Sequence, residues 1–324
     1  MRQRKVLVIG GGGFVGSHLI AALAATGAQV TVPARRRERA KHLTLLPTVE
    51  VVEGDVADAR SLAAWAAGHD ALVNLVGVLH SRRGRPDERG PNDYGPDFAR
   101  AHVEIAQAAV TACRTAGVAR LLHMSALGAD AAAPSEYLRS KGIGEQAVRA
   151  AEDLEVTVFR PSVIFGPEDG FLNVFARLAA MLPVLAVPCP QARFQPVYVG
   201  DVARAFLAAL DAPASSGQCY DLGGPRTYTL IELVRSVCAL TGRRRLVIGL
   251  PDWAATLQAW TMERLPVPLL TRDNLRSMQV PSVCAGAPLP FGLAPTALEL
   301  VAPNWLARVR PRARYSQLRQ RAHR

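Results

Sequence analysis

Tyr137-Leu138-Arg139-Ser140-Lys141 places a phenol and an ammonium four residues apart. On a helix those positions share a face, with β-carbons roughly 6 Å apart. A cation that close favours the phenolate and draws a tyrosine pKa down from about 10 toward working pH. Such a tyrosine can exchange a proton with a substrate hydroxyl or carbonyl while a hydride moves to or from another carbon. The spacing alone is common. Scarcity sharpens it: Lys5, Lys41 and Lys141 are the three lysines among 38 basic residues. A lysine in that background marks a place where a compact point charge is wanted instead of a guanidinium.

A second constellation is Gly10-Gly11-Gly12-Gly13-Phe14-Val15-Gly16, which follows the apolar run Val6-Leu7-Val8-Ile9 and opens an apolar-periodic stretch. Strand, glycine turn and helix in that order let the backbone approach a diphosphate and aim the first helical amides at its charge. The spacing is Gly10-x-x-Gly13-x-x-Gly16, and the extra glycines let the G-x-G-x-x-G fingerprint match as well. The bland alternative is a tight turn without a ligand. The strand before and helix after favour a dinucleotide.

Both constellations need a scaffold with a common edge, and the hydropathy pattern supplies one. Strand-like runs at 6–9, 29–34, 49–52, 71–76, 120–124 and 156–160 alternate with helical stretches at 14–25, 61–67, 97–116 and 134–151. Short connections in such an alternation predict an α/β fold, a doubly wound parallel sheet with ligands beyond its C-terminal strand ends. We expect this domain over residues 1–166, its sheet completed by parts of 195–224, with 219–222 a returning strand. A smaller, mostly helical lobe is expected over 167–307, with helices at 171–182, 201–210, 230–240, 253–265 and 272–278, and a basic tail over 308–324. The connection 80–96, rich in Arg, Gly, Pro and Asp, reads as a lid or as a flexible excursion.

Composition narrows the class. A transmembrane helix is not expected: the apolar stretch from Phe171 to Pro188 is broken by Arg177 and Pro183. The chain opens almost at once on a strand, leaving no room for a signal peptide, so a cytoplasmic protein is expected. Cys113, Cys189, Cys219, Cys238 and Cys284 are scattered and the histidines show no ligand spacing, so reduced thiols and no metal site are expected. Of the +11 net charge, seven arginines fall between Arg308 and Arg324 without an acid. That tail is a solvated end, or it docks an anionic membrane surface or an acidic partner. Nucleic acid ranks last, because no aromatic interleaving accompanies it. Trp253, Leu257, Trp260, Met262, Leu265, Leu269 and Leu270 read first as lobe core and second as a membrane- or partner-facing surface.

The glycine turn, Gly54-Asp55, the Tyr137/Lys141 pair, the run from Arg160 to Gly166 and Val197-Tyr198-Val199-Gly200-Asp201-Val202 together resemble the extended or atypical short-chain dehydrogenase/reductases. The segments Tyr137 to Gly142, Pro167 to Asn173, Gln195 to Val199 and Thr271-Arg272-Asp273-Asn274 are similar to the nucleotide-binding accessory subunits (alpha-subcomplex subunit nine) of respiratory complex I and their bacterial relatives. The resemblance implies a Rossmann, NAD(P)-binding domain. In it Gly10, Gly13 and Gly16, with Phe14 and Val15, cradle the diphosphate, and Asp55 and Val56 meet the adenine. Val76 and Gly77 line the path to the nicotinamide ribose, Tyr137 and Lys141 hold that ribose, and Pro161 to Val163 contact the carboxamide. An acid for a ribose 2′-hydroxyl is expected about 20 residues past the glycine turn. The second strand ends instead in Ala34-Arg35-Arg36-Arg37, so NADP(H) is expected over NAD(H).

Two positions depart from the family pattern. A Ser or Thr just past the fifth strand polarises the substrate oxygen in these enzymes. This chain reads His123-Met124-Ser125-Ala126, with Ala126 nearest that place and Ser125 serving if the strand ends one residue early. His102 stands where many relatives carry an asparagine, and reads as a packed helix residue. Two functions therefore stand. One is an accessory or assembly-type protein holding NADP(H) beside a respiratory membrane complex or in quinone metabolism, peripheral on the cytoplasmic face of the inner membrane. The other is an active NADP(H)-dependent oxidoreductase or epimerase/dehydratase for an unidentified small molecule. There Tyr137 is the acid/base, Lys141 its electrostatic partner and Ser125 an oxyanion-type donor.

Overall fold

A computed structural model describes residues 3–82, 84, 93–266 and 268–307. The basic tail and most of the connection 80–96 lie outside the described residues. The chain divides into two units. The first comprises the chain to Pro161 with Val199–Leu222 and Leu289–Leu293; the second holds Ser162–Tyr198, Gly223–Pro288 and the residues from Ala294.

In the first unit β1 (Lys5–Ile9), α1 (Phe14–Ala25), β2 (Gln29–Ala34), β3 (Val49–Glu53), α2 (Ala59–Ala66) and β4 (Ala71–Asn74) alternate in chain order. They are followed by α3 (Pro96–Phe98), α4 (Ile105–Ala116), β5 (Arg120–Met124), α5 (Glu136–Arg149) and β6 (Glu155–Pro161). The chain then supplies β7 (Ile164–Phe165), α6 (Leu172–Met181), β8 (Val184–Val187), β9 (Arg193–Phe194) and β10 (Val197–Tyr198) to the second unit. It returns as α7 (Val199–Leu210) and β11 (Cys219–Leu222). The resulting seven-stranded sheet is parallel throughout, in the order β11-β6-β5-β4-β1-β2-β3.

The continuous apolar runs follow from this topology. Leu7 and Ile9 pack with Leu72 and Leu121 under α2 and α4, while Val6 and Val8, which alternate with them, are equally buried. Both sheet faces are therefore covered, and no strand needs a polar face. Local signals set the helix ends: Asp58 caps α2, Ser135 caps α5 by accepting from the Leu138 amide at 3.2 Å, and Gly117 ends α4 at φ +69°.

One expected helix is not regular. The stretch expected over 97–116 is interrupted by a π-helical segment, Ala99–Glu104. A Cβ on Gly144 would collide with the carbonyl oxygen of His102, so α5 presses directly on this widened turn. A single-turn π-bulge of this kind is common at functional sites.

The second unit adds β12 (Tyr228–Thr229), α8 (Leu230–Leu240), β13 (Leu246–Gly249), α9 (Asp252–Met262) and α10 (Arg272–Ser277). Thr229 and Glu232 form a capping box for α8. Three two-stranded ribbons, β7 with β10, β9 with β12 and β8 with β13, accompany the helices and had no counterpart in the sequence reading. Strands of two to four residues leave too short a period to detect. The reading of 253–270 as lobe core is corrected: Trp253, Leu257, Trp260, Leu265 and Leu269 are exposed, while Leu270 is buried.

Candidate nucleotide-binding and acid–base site

The sheet order reverses between β1 and β4, so the crevice beyond their C-terminal ends is the place where such sheets hold ligands. Gly10 ends β1 at φ +79°, and a Cβ there would stand 2.9 Å from backbone atoms of Leu75 and Val76. Gly16 allows no Cβ either, because one would collide with the Gly11 carbonyl oxygen. Gly11, not singled out from the sequence, lies 2.7 Å (from its hypothetical Cβ) below Ile20 Cδ1. Gly13 caps α1 with extended backbone and no side-chain acceptor, and the first turn carries no acid. The amides of Phe14, Val15 and Gly16 precede the first intrahelical bond, Ser17 N–H to Gly13 O at 2.9 Å. Val15 is buried, so it offers the crevice its backbone; the Phe14 ring packs edge-on against His18. The helix thus presents an uncapped positive end over a glycine floor, a cradle that side chains would fill.

Arg35 and Arg36 follow β2, exposed and without an ion-pair partner among the described residues. Asp55, two residues past β3, accepts from the Ala57 amide at 3.1 Å and pairs with the Arg100 guanidinium. Val56 packs partly buried against the sheet core.

Lys141 is the centre of the arrangement. It is 3% exposed, and its ammonium donates to the carbonyl oxygens of Val76 (3.3 Å), just beyond β4, and Met124 (3.1 Å), the last residue of β5. One of its three N–H donors is left for a ligand. A Cβ on Gly77 would lie 3.1 Å from Lys141 Nζ, so the loop after β4 closes directly over the ammonium. Burial pulls the Lys141 pKa down to about 8. Burial likewise pushes the Tyr137 phenol up to about 12, against the expectation that Lys141 would depress it. Burial is the cause, because a phenolate there loses its hydration.

His102 is the packed helix residue expected from the sequence, and it also joins these parts. Its Nε2 accepts from the Val78 amide at 3.1 Å, so Nδ1 carries the proton and donates to Ser140 Oγ at 2.8 Å. Ser140 in turn donates to the Tyr137 carbonyl at 2.9 Å. The imidazole stacks on Phe98 and meets the Tyr137 ring edge-on at 5.5 Å. Burial first, then Lys141 and His123, hold its pKa well below the usual histidine value, so it is neutral. Asn74, missed from the sequence, accepts from the Val76 amide at 3.0 Å; its amide nitrogen then faces His123 Nδ1 at 3.2 Å. A polar residue closing a fully buried apolar strand was the available signal.

Ser125 lies just past β5, its amide bonded to Phe159 O at 2.7 Å and its Oγ buried without a hydrogen-bond partner. A buried orphan hydroxyl costs about 1–3 kcal/mol, which a ligand oxygen in that position would recover. Ala126 beside it is buried and brings no polar group. Pro161 O accepts from the Leu127 amide at 3.1 Å, at the end of β6. Val163 belongs to the second unit, where it accepts from the Val197 amide at 3.0 Å. The first unit therefore combines an anion cradle, a buried ammonium, a phenol and an unsatisfied hydroxyl, a set that fits a dinucleotide with a reacting oxygen beside it.

Comparison with known proteins agrees with that geometry. The family profile described as "NAD dependent epimerase/dehydratase family" matches residues 6–223. NADH dehydrogenase (ubiquinone) 1 alpha subcomplex subunit 9, mitochondrial, of Mus musculus is 32% identical over 315 residues, covering 90% of this chain and 77% of that protein. A ceramide reductase of Caulobacter vibrioides is 32% identical over 302 residues, covering 89% of this chain and 90% of that protein. The crystal structure of a nucleoside-diphosphate-sugar epimerase from Staphylococcus aureus superposes with a TM-score of 0.72 at 17% identity, over 94% of this chain and 99% of that one, a likeness of fold. With the profile spanning the whole parallel sheet, the chain belongs to the NAD dependent epimerase/dehydratase family.

Proposed function

We propose that this protein holds NADP(H) at the C-terminal edge of β1, β4 and β5 and serves as a nucleotide-binding accessory or assembly-type protein of a complex I-type respiratory assembly. The observation that carries the nucleotide reading is Lys141, buried at the edge that also holds the uncapped start of α1. In this reading Gly10, Gly13, Phe14, Val15 and Gly16 receive the diphosphate, and Asp55 and Val56 flank the adenine. Val76, Gly77, Tyr137 and Lys141 hold the nicotinamide ribose, with Pro161 at the carboxamide. Arg35 and Arg36, exposed and unpaired among the described residues, favour a 2′-phosphate. The mouse relative's name supports the respiratory partner. No described helix is long and apolar enough to cross a membrane, which fits peripheral attachment.

A second reading, turnover, is favoured by the orphan Ser125 hydroxyl and by the relative named a ceramide reductase. A bound nicotinamide supplies or accepts the hydride. Ser125 donates to the substrate oxygen, Tyr137 passes it a proton, and Lys141 stabilises the phenolate left behind.

Nucleotide released from the purified, denatured protein should be NADP(H); finding neither pyridine nucleotide, with no calorimetric binding of either, overturns the proposal. Arg35→Ala/Arg36→Ala should weaken NADPH by about tenfold or more while leaving NADH unchanged, the worth of a charge-assisted contact. Turnover of lipid-carbonyl, quinone or nucleotide-sugar substrates that disappears in Tyr137→Phe establishes the enzyme. Tight retention without turnover, together with co-purification of respiratory subunits, establishes the accessory role.

A further inference from the structure

α9 is inside out. It buries Ala255 and Ala259 and exposes Trp253 (72%), Leu257 (54%) and Trp260 (43%), positions that stack along one helical face. The ribbon leading into it repeats the pattern. Leu185, Val187 and Val247 pack beneath α8, while Val184, Leu246 and Ile248, on the opposite face by strand alternation, are exposed. Met181 and Leu182, at the end of α6 and just before β8, are exposed as well. Folding places large apolar groups outside and methyl groups inside, which a free surface in water does not favour.

The segment from β13 through α9 carries several cations. Arg243, Arg244 and Arg245 precede β13, and the Arg264 guanidinium stacks 3.3 Å over the Trp260 ring. Of the acids on the same segment, Glu263 is engaged by Arg272, leaving Asp252 at the start of α9. The sequence beyond residue 307 adds seven arginines over 308–324. Tryptophan with arginine on an apolar helix face suits the boundary between headgroups and acyl chains, where rings bury their bodies and keep a polar edge in water.

We propose that this face of the second unit inserts shallowly into the headgroup region of an anionic lipid bilayer, with the arginine-rich tail adding long-range attraction. The inference goes beyond nucleotide binding and does not depend on it. The test is flotation of the full-length protein with phosphatidylcholine vesicles and with vesicles enriched in phosphatidylglycerol, with tryptophan emission recorded alongside. The protein should float with the anionic vesicles, and its emission should shift to the blue. Trp253→Ala/Leu257→Ser/Trp260→Ala should lower partitioning by about tenfold or more at every salt concentration, as lost apolar burial requires. Removing 308–324 should weaken binding chiefly at low salt. An unchanged melting curve of the triple variant confirms that it folds. The proposal is overturned if the triple variant floats like the parent or if emission does not shift. It is equally overturned if the protein ignores vesicles and sediments as a dimer that the triple variant dissociates, which would assign the face to a second copy.

Discussion

α5 in the first unit and α9 in the second break the same rule in opposite directions. α5 buries Ser140, Lys141 and Glu145; α9 buries alanines and exposes two tryptophans. Each buried polar group on α5 is partnered: Ser140 by His102 and the Tyr137 carbonyl, Lys141 by two carbonyls, Glu145 by the Arg160 guanidinium. Burial of charge is tolerable only on those terms, so α5 had to be built around its polar residues. Exposed apolar side chains need no partner for the fold to survive. The lesson is that the buried face of α5 is fixed by the partners its polar groups need, whereas the outer face of α9 is free of that constraint.

Substitutions can break that contrast. Gly144→Ala should have the largest effect, because its Cβ collides with main-chain oxygen that α5 cannot evade. We expect a loss of about 3 kcal/mol, a drop of roughly 6–12 °C in Tm for a domain of this size, read by calorimetry. Lys141→Met comes next: with the Val76 and Met124 carbonyls left without their donor, nucleotide Kd should rise by ten- to hundredfold, roughly the worth of charged hydrogen bonds, in isothermal titration.

Acid should act on the first unit through His123. Burial, helped by Lys141, depresses its pKa from 6.5 to about 3, so the unfolded chain binds the extra proton first as pH falls. Stability present above pH 6.5 is then lost progressively between about 6.5 and 3, on the order of 1–2 kcal/mol by pH 5. His123→Gln should flatten that slope in urea unfolding at neutral and acid pH. The smallest effect belongs to α9. Trp253→Ala should change stability in solution by less than about 0.5 kcal/mol, the range of exposed positions, and leave nucleotide affinity unaltered. A loss as large as that of Gly144→Ala would show α9 to be core and end the comparison.

Strand and helix alternation, the glycine turn and the Tyr137/Lys141 pair were legible in the amino acids because each is a local pattern. An apolar run, a run of glycines and an i, i+4 spacing carry their meaning within a few residues. The contacts of His102 and Asn74 were not legible. Their importance rests on the Val78 and Val76 amides, which strand pairing and helix docking bring within reach. The π-helical turn escaped for the same reason, since the glycine it accommodates lies on another helix.

By itself, then, the sequence determined the parallel α/β scaffold, and it placed the glycine turn at the start of a helix and the Tyr137/Lys141 pair on one. Their side chains' surroundings were decided by tertiary packing alone: that Lys141 gives up water for two carbonyls, that Ser125 keeps an unpaired hydroxyl, and that α9 turns its tryptophans outward. Periodicity says which residues share a face, but burial depends on what the rest of the chain places against that face.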